Sequence, residues 1–505
     1  MRRRHQLCRM STLARSPTVT KMNATRQKQN GAYYTPDRVV ASLVRWATRR
    51  PSDRMLDPAC GDGRFLMAHP NSVGVEQDPQ ASTFVHERAP GSLIHQGDFF
   101  AWAGTTHERF ECAAGNPPFI RYQRFSGAMR NTALALCALH GARFSALTSS
   151  WAPFLVATAT LLKPGGRMAF VVPAEIGHAP YARPVLEYMA AHFGLVHAIA
   201  VREKLFPELS EDCWLLHAER FGSQTDHFLL SALERFECIA QPPRDSVRVS
   251  VDEWRLWHGR LRPFLLHPDA RAAYQRAAHA SNSVRLGQVA TVGIGYVTGA
   301  NDFFHLRPSQ ARQQAIPRDL LRPAVRSGRS LKGRAITRST VDAWCRRDQP
   351  VLLLDLSSCG ELPDSVKRYL DSPEGETARN SYKCRNRSPW YVVPDVTVPE
   401  AFLSYMSGEG PSLVANHARC VGTNSVHVVK LTRAMSVAQL QRAWDSPLSR
   451  LSCELEGHPL GGGMLKVEPG EAARIVLSPS PARSPHDDGL LDDAVSTMRR
   501  WRHYA

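Results

Sequence analysis

The chain has eleven cysteines but no CxxC pair and no cysteine–histidine grouping at zinc-binding spacing. That leaves no disulfide framework or structural zinc site to be read and points to a reducing compartment. No apolar run approaches the ~18 residues that span a bilayer. The basic start, Met1 to Arg9, lacks the apolar stretch of a secretory signal. A cytoplasmic protein is expected. Lysine is scarce, at nine residues, and no internal repeat is visible. No PD…(D/E)xK or HNH set can be assembled, so no fused nuclease is expected.

What is present suits a large globular chain. Its 505 residues allow roughly two or three domains and can bury about three quarters of the unfolded surface. Apolar residues are 43% and charged residues 22%, which argues against wholesale disorder. Lys and Arg number 63 against 46 acids, a net charge of +17 that favours a polyanionic partner, most simply nucleic acid. Arginine's planar fork suits phosphate and guanine edges. A GC-rich coding sequence would also favour arginine, but it would not produce the net charge.

Residues 1–30 carry basic and small polar residues without an apolar pattern and are expected to form a mobile basic tail, with Met22 as an alternative start. A helix opens at Tyr33-Tyr34-Thr35-Pro36-Asp37, with Thr35 suited to the N-cap and Pro36 to the first helical position. Val39, Val40, Leu43, Val44 and Ala47 follow at helical spacing. Short apolar strands are then expected at 54–57, 72–76, 92–95, 110–115, 167–172, 195–201 and 213–220, with helices between them, notably 146–162 and 181–192. This alternation predicts an α/β fold, a parallel sheet with helices on both faces, with the strand after Leu205-Phe206-Pro207 antiparallel. The rhythm weakens near residue 245. A basic α+β domain is expected over 246–480, and 481–505, with its Ser-Pro repeats, as a loosely ordered tail.

Four features in fixed order carry the chemistry. The first is Asp57-Pro58-Ala59-Cys60-Gly61-Asp62-Gly63-Arg64-Phe65, where Gly61 and Gly63 permit a tight turn beside a ligand and a helix start offers free N–H groups. It is not the dinucleotide GxGxxG fingerprint, because the third glycine is missing. The second is Glu76, ending the next strand, where an acid can accept both ribose hydroxyls. The third is Asp98-Phe99, a carboxylate for an adenine amino group and a ring for a purine face. The fourth is Asn116-Pro117-Pro118-Phe119. Its two prolines stiffen the backbone and leave two carbonyls without a helix or sheet partner. The Asn116 amide oxygen and the Pro117 carbonyl can converge on one –NH2 group, and Phe119 offers a stacking face.

Together these residues resemble the adenine-specific DNA methyltransferases of bacterial restriction–modification systems, in the gamma arrangement typified by the Taq modification methylase. The resemblance covers residues 31–222. Over 285–480 it is one of layout, with Gly299-Ala300-Asn301-Asp302-Phe303-Phe304 and Gly461-Gly462-Gly463 also similar. Asp57 stands where the Taq-type pattern has glutamate, and Phe119 where it has tyrosine. The resemblance implies a Rossmann-like sheet binding S-adenosylmethionine over 31–245, followed by a DNA target-recognition domain. Thr35, Asp57, Ala59 and Gly61 would line the methionine end of that cofactor, Glu76 its ribose, and Asp98 and Phe99 its adenine, with Gly63 also among the cofactor-binding residues. Asn116, Pro117 and Pro118 would form the catalytic corner, with Phe119 and Phe206 stacking on a flipped target base.

The chemistry follows. A sulfonium methyl is already activated, whereas the adenine amino nitrogen is not, its lone pair being delocalised into the ring. Two acceptors pulling both amino hydrogens out of plane localise that pair, and attack then needs positioning. No metal and no covalent intermediate are expected. Flipping the base costs a few kcal/mol, which stacking can offset at ~1–3 kcal/mol per ring. Residues 51–100 hold three Lys and Arg against seven acids, whereas 311–350 hold ten against three. There, Arg322, Arg326, Arg329, Lys332 and Arg334 could track phosphates, as could Lys383, Arg385 and Arg387 beside Trp390 and Tyr391; each also suits a solvated basic face. The expected partner is double-stranded DNA, met by a monomer with no membrane contact, with any restriction endonuclease encoded separately. A glutamine methyltransferase acting on protein, an RNA adenine methyltransferase and a non-catalytic DNA-binding specificity protein remain alternatives at this stage.

Overall fold

The computed structural model describes residues 35–209, 211–238, 240–432, 435–478 and 485–504. The basic stretch 1–30 lies outside them.

The first helix, α1 (Asp37–Ala47), buries Val39, Val40, Leu43, Val44, Trp46 and Ala47 on one face. It begins one residue later than expected. Pro36 occupies the N-cap and no side chain caps the helix, so Thr35 is left for another partner. Strands and helices then alternate through β1 (Met55–Asp57), α2 (Arg64–Met67), β2 (Ser72–Glu76), β3 (Leu93–Gln96), α3 (Phe99–Ala103), β4 (Phe110–Gly115), α4 (Trp151–Thr160), β5 (Leu162–Pro173), α5 (Ala182–His192), β6 (Phe193–Val201), β7 (Cys213–Phe221), β8 (His227–Leu233) and β9 (Val247–Ser250).

These nine strands form one sheet in the order β3-β2-β1-β4-β5-β7-β6-β8-β9. β1 pairs parallel with both β2 and β4, and β7 runs antiparallel between β5 and β6. The sheet is covered on both faces, and the alternation shows it. In β5, Met168, Phe170 and Val172 join the core cluster beneath α4 and α5, while Ala169 and Val171 join the cluster beneath α1. The chain leaves β1 toward β3 and returns beside β1 as β4. That reversal opens a crevice at the carboxyl ends of β1 and β4, where open α/β sheets bind ligands.

Packing crosses two of the expected boundaries. β9 pairs antiparallel with β8, and Val249, Trp254, Leu261 and Phe264 belong to the same core as the sheet. The sheet and its core therefore continue past 245 through α6 (Pro268–Ala278), and the same core takes in Leu448, Leu451, Leu491 and Met498 from near the end of the chain. The region expected as a loosely ordered tail contains a 17-residue helix, α8 (Pro485–Trp501), which buries Leu491, Ala494, Val495 and Met498 against α6 and α7 (Pro447–Glu456). Serine–proline pairs read as breakers, yet Pro485 stands at a helix start, where no N–H is needed. Asp487 and Asp488 in the first turn and Arg499 and Arg500 in the last suit the helix dipole.

The second half is α+β. Its five-stranded sheet runs Ala290–Ile294, Val426–Leu431, Ala401–Ser404, Leu413–Asn416 and Ala335–Ile336, and a four-stranded sheet packs nearby. A buried charge cluster joins the halves. Arg502, with its side chain fully buried, donates to Glu454 on α7 (2.7 and 3.0 Å), and Arg262 donates to the Met498 carbonyl on α8 (3.4 Å) and to the Glu454 carbonyl. Among the described residues no helix is long and apolar enough to cross a membrane.

Candidate active site

The site forms where β1, β2, β3 and β4 end. Asp57 closes β1 and is 1% exposed. Its Oδ1 accepts a hydrogen bond from the Ala59 amide (3.2 Å), while its buried Oδ2 has no partner among the described residues. Burial pushes this carboxyl from an ordinary 3.8 up to about 8. The Ala59 amide opposes the rise, and the neighbouring charges of Glu76 and Asp62 add to it. Gly115, the last residue of β4, makes room for it. A Cβ there would stand 2.7 Å from Asp57 Oδ1 and 3.1 Å from the Phe170 ring.

The glycine turn is pinned from several sides. Cys60 N–H donates to the Val75 carbonyl (3.0 Å). Gly61 and Gly63 adopt left-handed φ angles of 52° and 80°, and Gly63 opens α2. Glu76 bridges two loops, accepting from the Gly61 amide (2.9 Å) and the Asp78 amide (2.7 Å). Burial raises its pKa, against the pull of both amides. Arg64 ties the turn to the segment before α1, reaching Asp62 (2.7 Å), Asp37 (3.1 Å) and the Thr35 carbonyl (3.3 Å).

After β3, Asp98 caps α3 by accepting from the Ala101 amide (2.8 Å). Phe99 is buried, stacked on Phe154 of α4 at 5.0 Å and 12°. Its ring is packed into the core rather than left open.

After β4, the Asn116–Phe119 corner is held at both ends. Asn116 Nδ2 donates to Thr35 Oγ1 (3.2 Å), so the hydroxyl expected to cap α1 faces the corner instead. Ser150 Oγ donates to the Pro118 carbonyl and accepts from the Ile120 amide (3.0 Å). The Pro118 carbonyl, which has no helix or sheet partner, is engaged by that side chain. Among the described residues none donates to the Pro117 carbonyl. Phe119 is half-buried between the two sheet-face clusters.

Thr35, Asp57, Gly61, Glu76, Asp98 and Asn116 thus gather on one edge of the sheet. Phe206 does not join them openly. Its ring is 6% exposed within the cluster around α1. Sequence reasoning missed Gly115, Arg64 and Ser150. Two signals were available: Gly115 directly precedes the Asn-Pro-Pro triplet, and Ser149-Ser150 directly precedes the apolar run of α4.

Comparison with known proteins is informative for both halves. The family described as N-6 DNA Methylase matches residues 18–92, and that described as Type II methyltransferase M.Eco57I, C-terminal domain, matches 259–503. The chain is 21% identical over 479 residues to Type II methyltransferase M.XamI of Xanthomonas campestris pv. amaranthicola, covering 90% of this chain and 86% of that protein. It is 18% identical over 493 residues to Type II methyltransferase M.AccI of Acinetobacter calcoaceticus, covering 93% and 88%. Among solved structures, the Type IIL restriction-modification enzyme MmeI in complex with DNA matches with a TM-score of 0.52 at 12% identity, over 90% of this chain and 69% of that one. At that identity the likeness speaks for the fold alone. A methylase family over the glycine turn, a Type II methyltransferase family over the second half and two relatives matched over 86% and 88% of their own length support an N6-adenine DNA methyltransferase of a restriction–modification system.

Proposed function

We propose that the Asn116–Phe119 corner takes an adenine flipped out of duplex DNA and holds its amino group between the Asn116 side-chain oxygen and the Pro117 carbonyl. The observation that carries this reading is the corner itself, clamped by Thr35 and Ser150 beside Asp57 at the sheet's switch point. Pro118's carbonyl is engaged by Ser150, so the peptide oxygen left to accept an amino proton is that of Pro117. Phe119 stacks on the base. Phe206 is covered and would have to be exposed before it could add a second ring.

S-adenosylmethionine, the methyl donor that this family implies, supplies an activated methyl on a cationic sulfur. The residues present fit it. The buried Asp57 oxygen without a partner suits the ammonium at its methionine end, which Thr35, Ala59, Gly61 and Gly63 would line with it. Glu76 would accept from its ribose hydroxyls and Asp98 from its adenine amino group, with Phe99 offering the apolar contact. Burial holds the Asp57 carboxyl up at about 8, and a cation bound beside it would favour its carboxylate form.

Residues beyond about 280 read the DNA sequence in a gamma arrangement. The basic run is thinner there than its count suggests. Arg322 pairs with Asp355 (3.3 Å), Arg326 with Asp302 (3.1 Å), and Arg334 with Asp445. Arg387 donates to the Thr298 carbonyl (2.7 Å) and Trp390 packs in a core cluster. Phosphate contacts therefore fall to the exposed Arg329, Lys332, Lys383 and Arg385. The protein acts as a monomer in the cytoplasm, at the nucleoid, with its endonuclease encoded separately. Asn116→Ala tests the reading. It should abolish methyl transfer to DNA while donor affinity stays within about two-fold, and unimpaired transfer would refute the assignment.

A further inference from the structure

We propose that Ser150 is a positioning residue that sets the Asn116–Phe119 corner for methyl transfer. The inference rests on the catalytic reading of that corner given above. Ser150 stands at the N-cap of α4, where a serine ordinarily accepts a hydrogen bond from the helix's own second or third amide. Here it makes no such bond, and its backbone is already helical (φ −60°, ψ −35°). The hydroxyl serves the corner instead. It donates to the Pro118 carbonyl and accepts from the Ile120 amide (3.0 Å), while the Ser150 amide donates to the Ile120 carbonyl (3.0 Å).

Three hydrogen bonds from one fully buried residue thus bracket Phe119 on both sides. Pro117 and Pro118 have no N–H of their own, so the corner has few means of fixing itself. Asn116 is held by Thr35 at one end, and the Ser150 clamp holds the other. By engaging the Pro118 carbonyl, Ser150 also leaves Pro117 as the accepting peptide oxygen. The same helix supports the donor side, since Phe154, whose amide donates to the Ser150 carbonyl (3.2 Å), stacks on Phe99. Phe99 and the substrate corner therefore rest on the same helix.

The test uses the full chain, S-adenosylmethionine and unmethylated genomic DNA, with Ser150→Ala, Ser150→Thr and Asn116→Ala in parallel. Ser150→Ala should lower kcat by ~100-fold, the cost of a misplacement of about 1 Å. Donor Kd and KM for DNA should stay within about two-fold, and Ser150→Thr, which keeps the hydroxyl, should recover most of kcat. Three outcomes overturn the inference: wild-type kcat in Ser150→Ala, loss of donor binding together with kcat in that variant, or equal failure of the threonine and alanine variants when both bind donor. Activity in Asn116→Ala would instead refute the catalytic reading of the corner. An inactive Asn116→Ala beside a fully active Ser150→Ala would leave that reading standing and refute only the role of Ser150.

Discussion

Replacing Asp57 with asparagine should uncouple the stability of the donor-free protein from pH between about 6 and 8. The carboxyl is buried and raised from 3.8 to about 8. Over that window the folded chain holds a proton that the unfolded chain has already released. Folding therefore takes up a proton, and this group's contribution to stability is lost as pH rises toward the folded value. Each pH unit removes up to ~1.4 kcal/mol, tapering near the pKa, so the loss from pH 6 to 8 is roughly 2 kcal/mol. For a unit of this size that shifts the melting temperature by roughly 4–8 °C. Asparagine has the same shape and no proton to lose. The assay is thermal unfolding of both proteins across this range, read as their difference, which cancels the other titrating groups. The wild type should lose stability relative to Asp57→Asn as pH rises, and saturating S-adenosylmethionine should flatten that loss by stabilising the carboxylate. The variant should also bind the donor roughly 10- to 100-fold more weakly, the worth of a charged hydrogen bond. Parallel pH profiles with unchanged donor affinity would refute the reasoning.

Further outcomes follow from packing and charge. Gly115→Ala places a methyl group 2.7 Å from Asp57 Oδ1; overpacking of ~1–3 kcal/mol should appear in denaturant unfolding together with weaker donor binding. Arg502→Met removes one side of the fully buried pair with Glu454 and should destabilise the chain by ~3–5 kcal/mol in the same assay. Affinity for duplex DNA should fall by about 0.9 log units per log unit of salt for each phosphate contact, as measured by fluorescence anisotropy in a salt titration.

Much of the sheet was legible because its strands carry apolar runs between clear punctuation. β2 and β4 were placed to the residue, and the antiparallel β7 was expected from its position after Pro207. The Gly-rich turn and the Asn-Pro-Pro corner were legible because glycine and proline constrain the backbone directly. Less legible were partnerships decided across the fold. Thr35 suits a helix cap locally, yet its hydroxyl meets Asn116, 81 residues away. Ser150 also suits a cap and is turned to the corner. Phe206 matches a stacking position by order along the chain, but the packing of α1 covers it. The helix after the Ser-Pro repeats was missed because local proline chemistry masked an amphipathic stripe, Leu491, Ala494, Val495 and Met498. Its anchor, Arg502 on Glu454, is a long-range ion pair with no local signature.

The most direct test of the catalytic corner is to read modified bases by single-molecule sequencing in DNA from cells that express the chain or its Asn116→Ala variant. The account predicts N6-methyladenine in one fixed sequence context with the wild type and none with the variant. Unmodified DNA from the wild type, or the same mark persisting in Asn116→Ala, would contradict it.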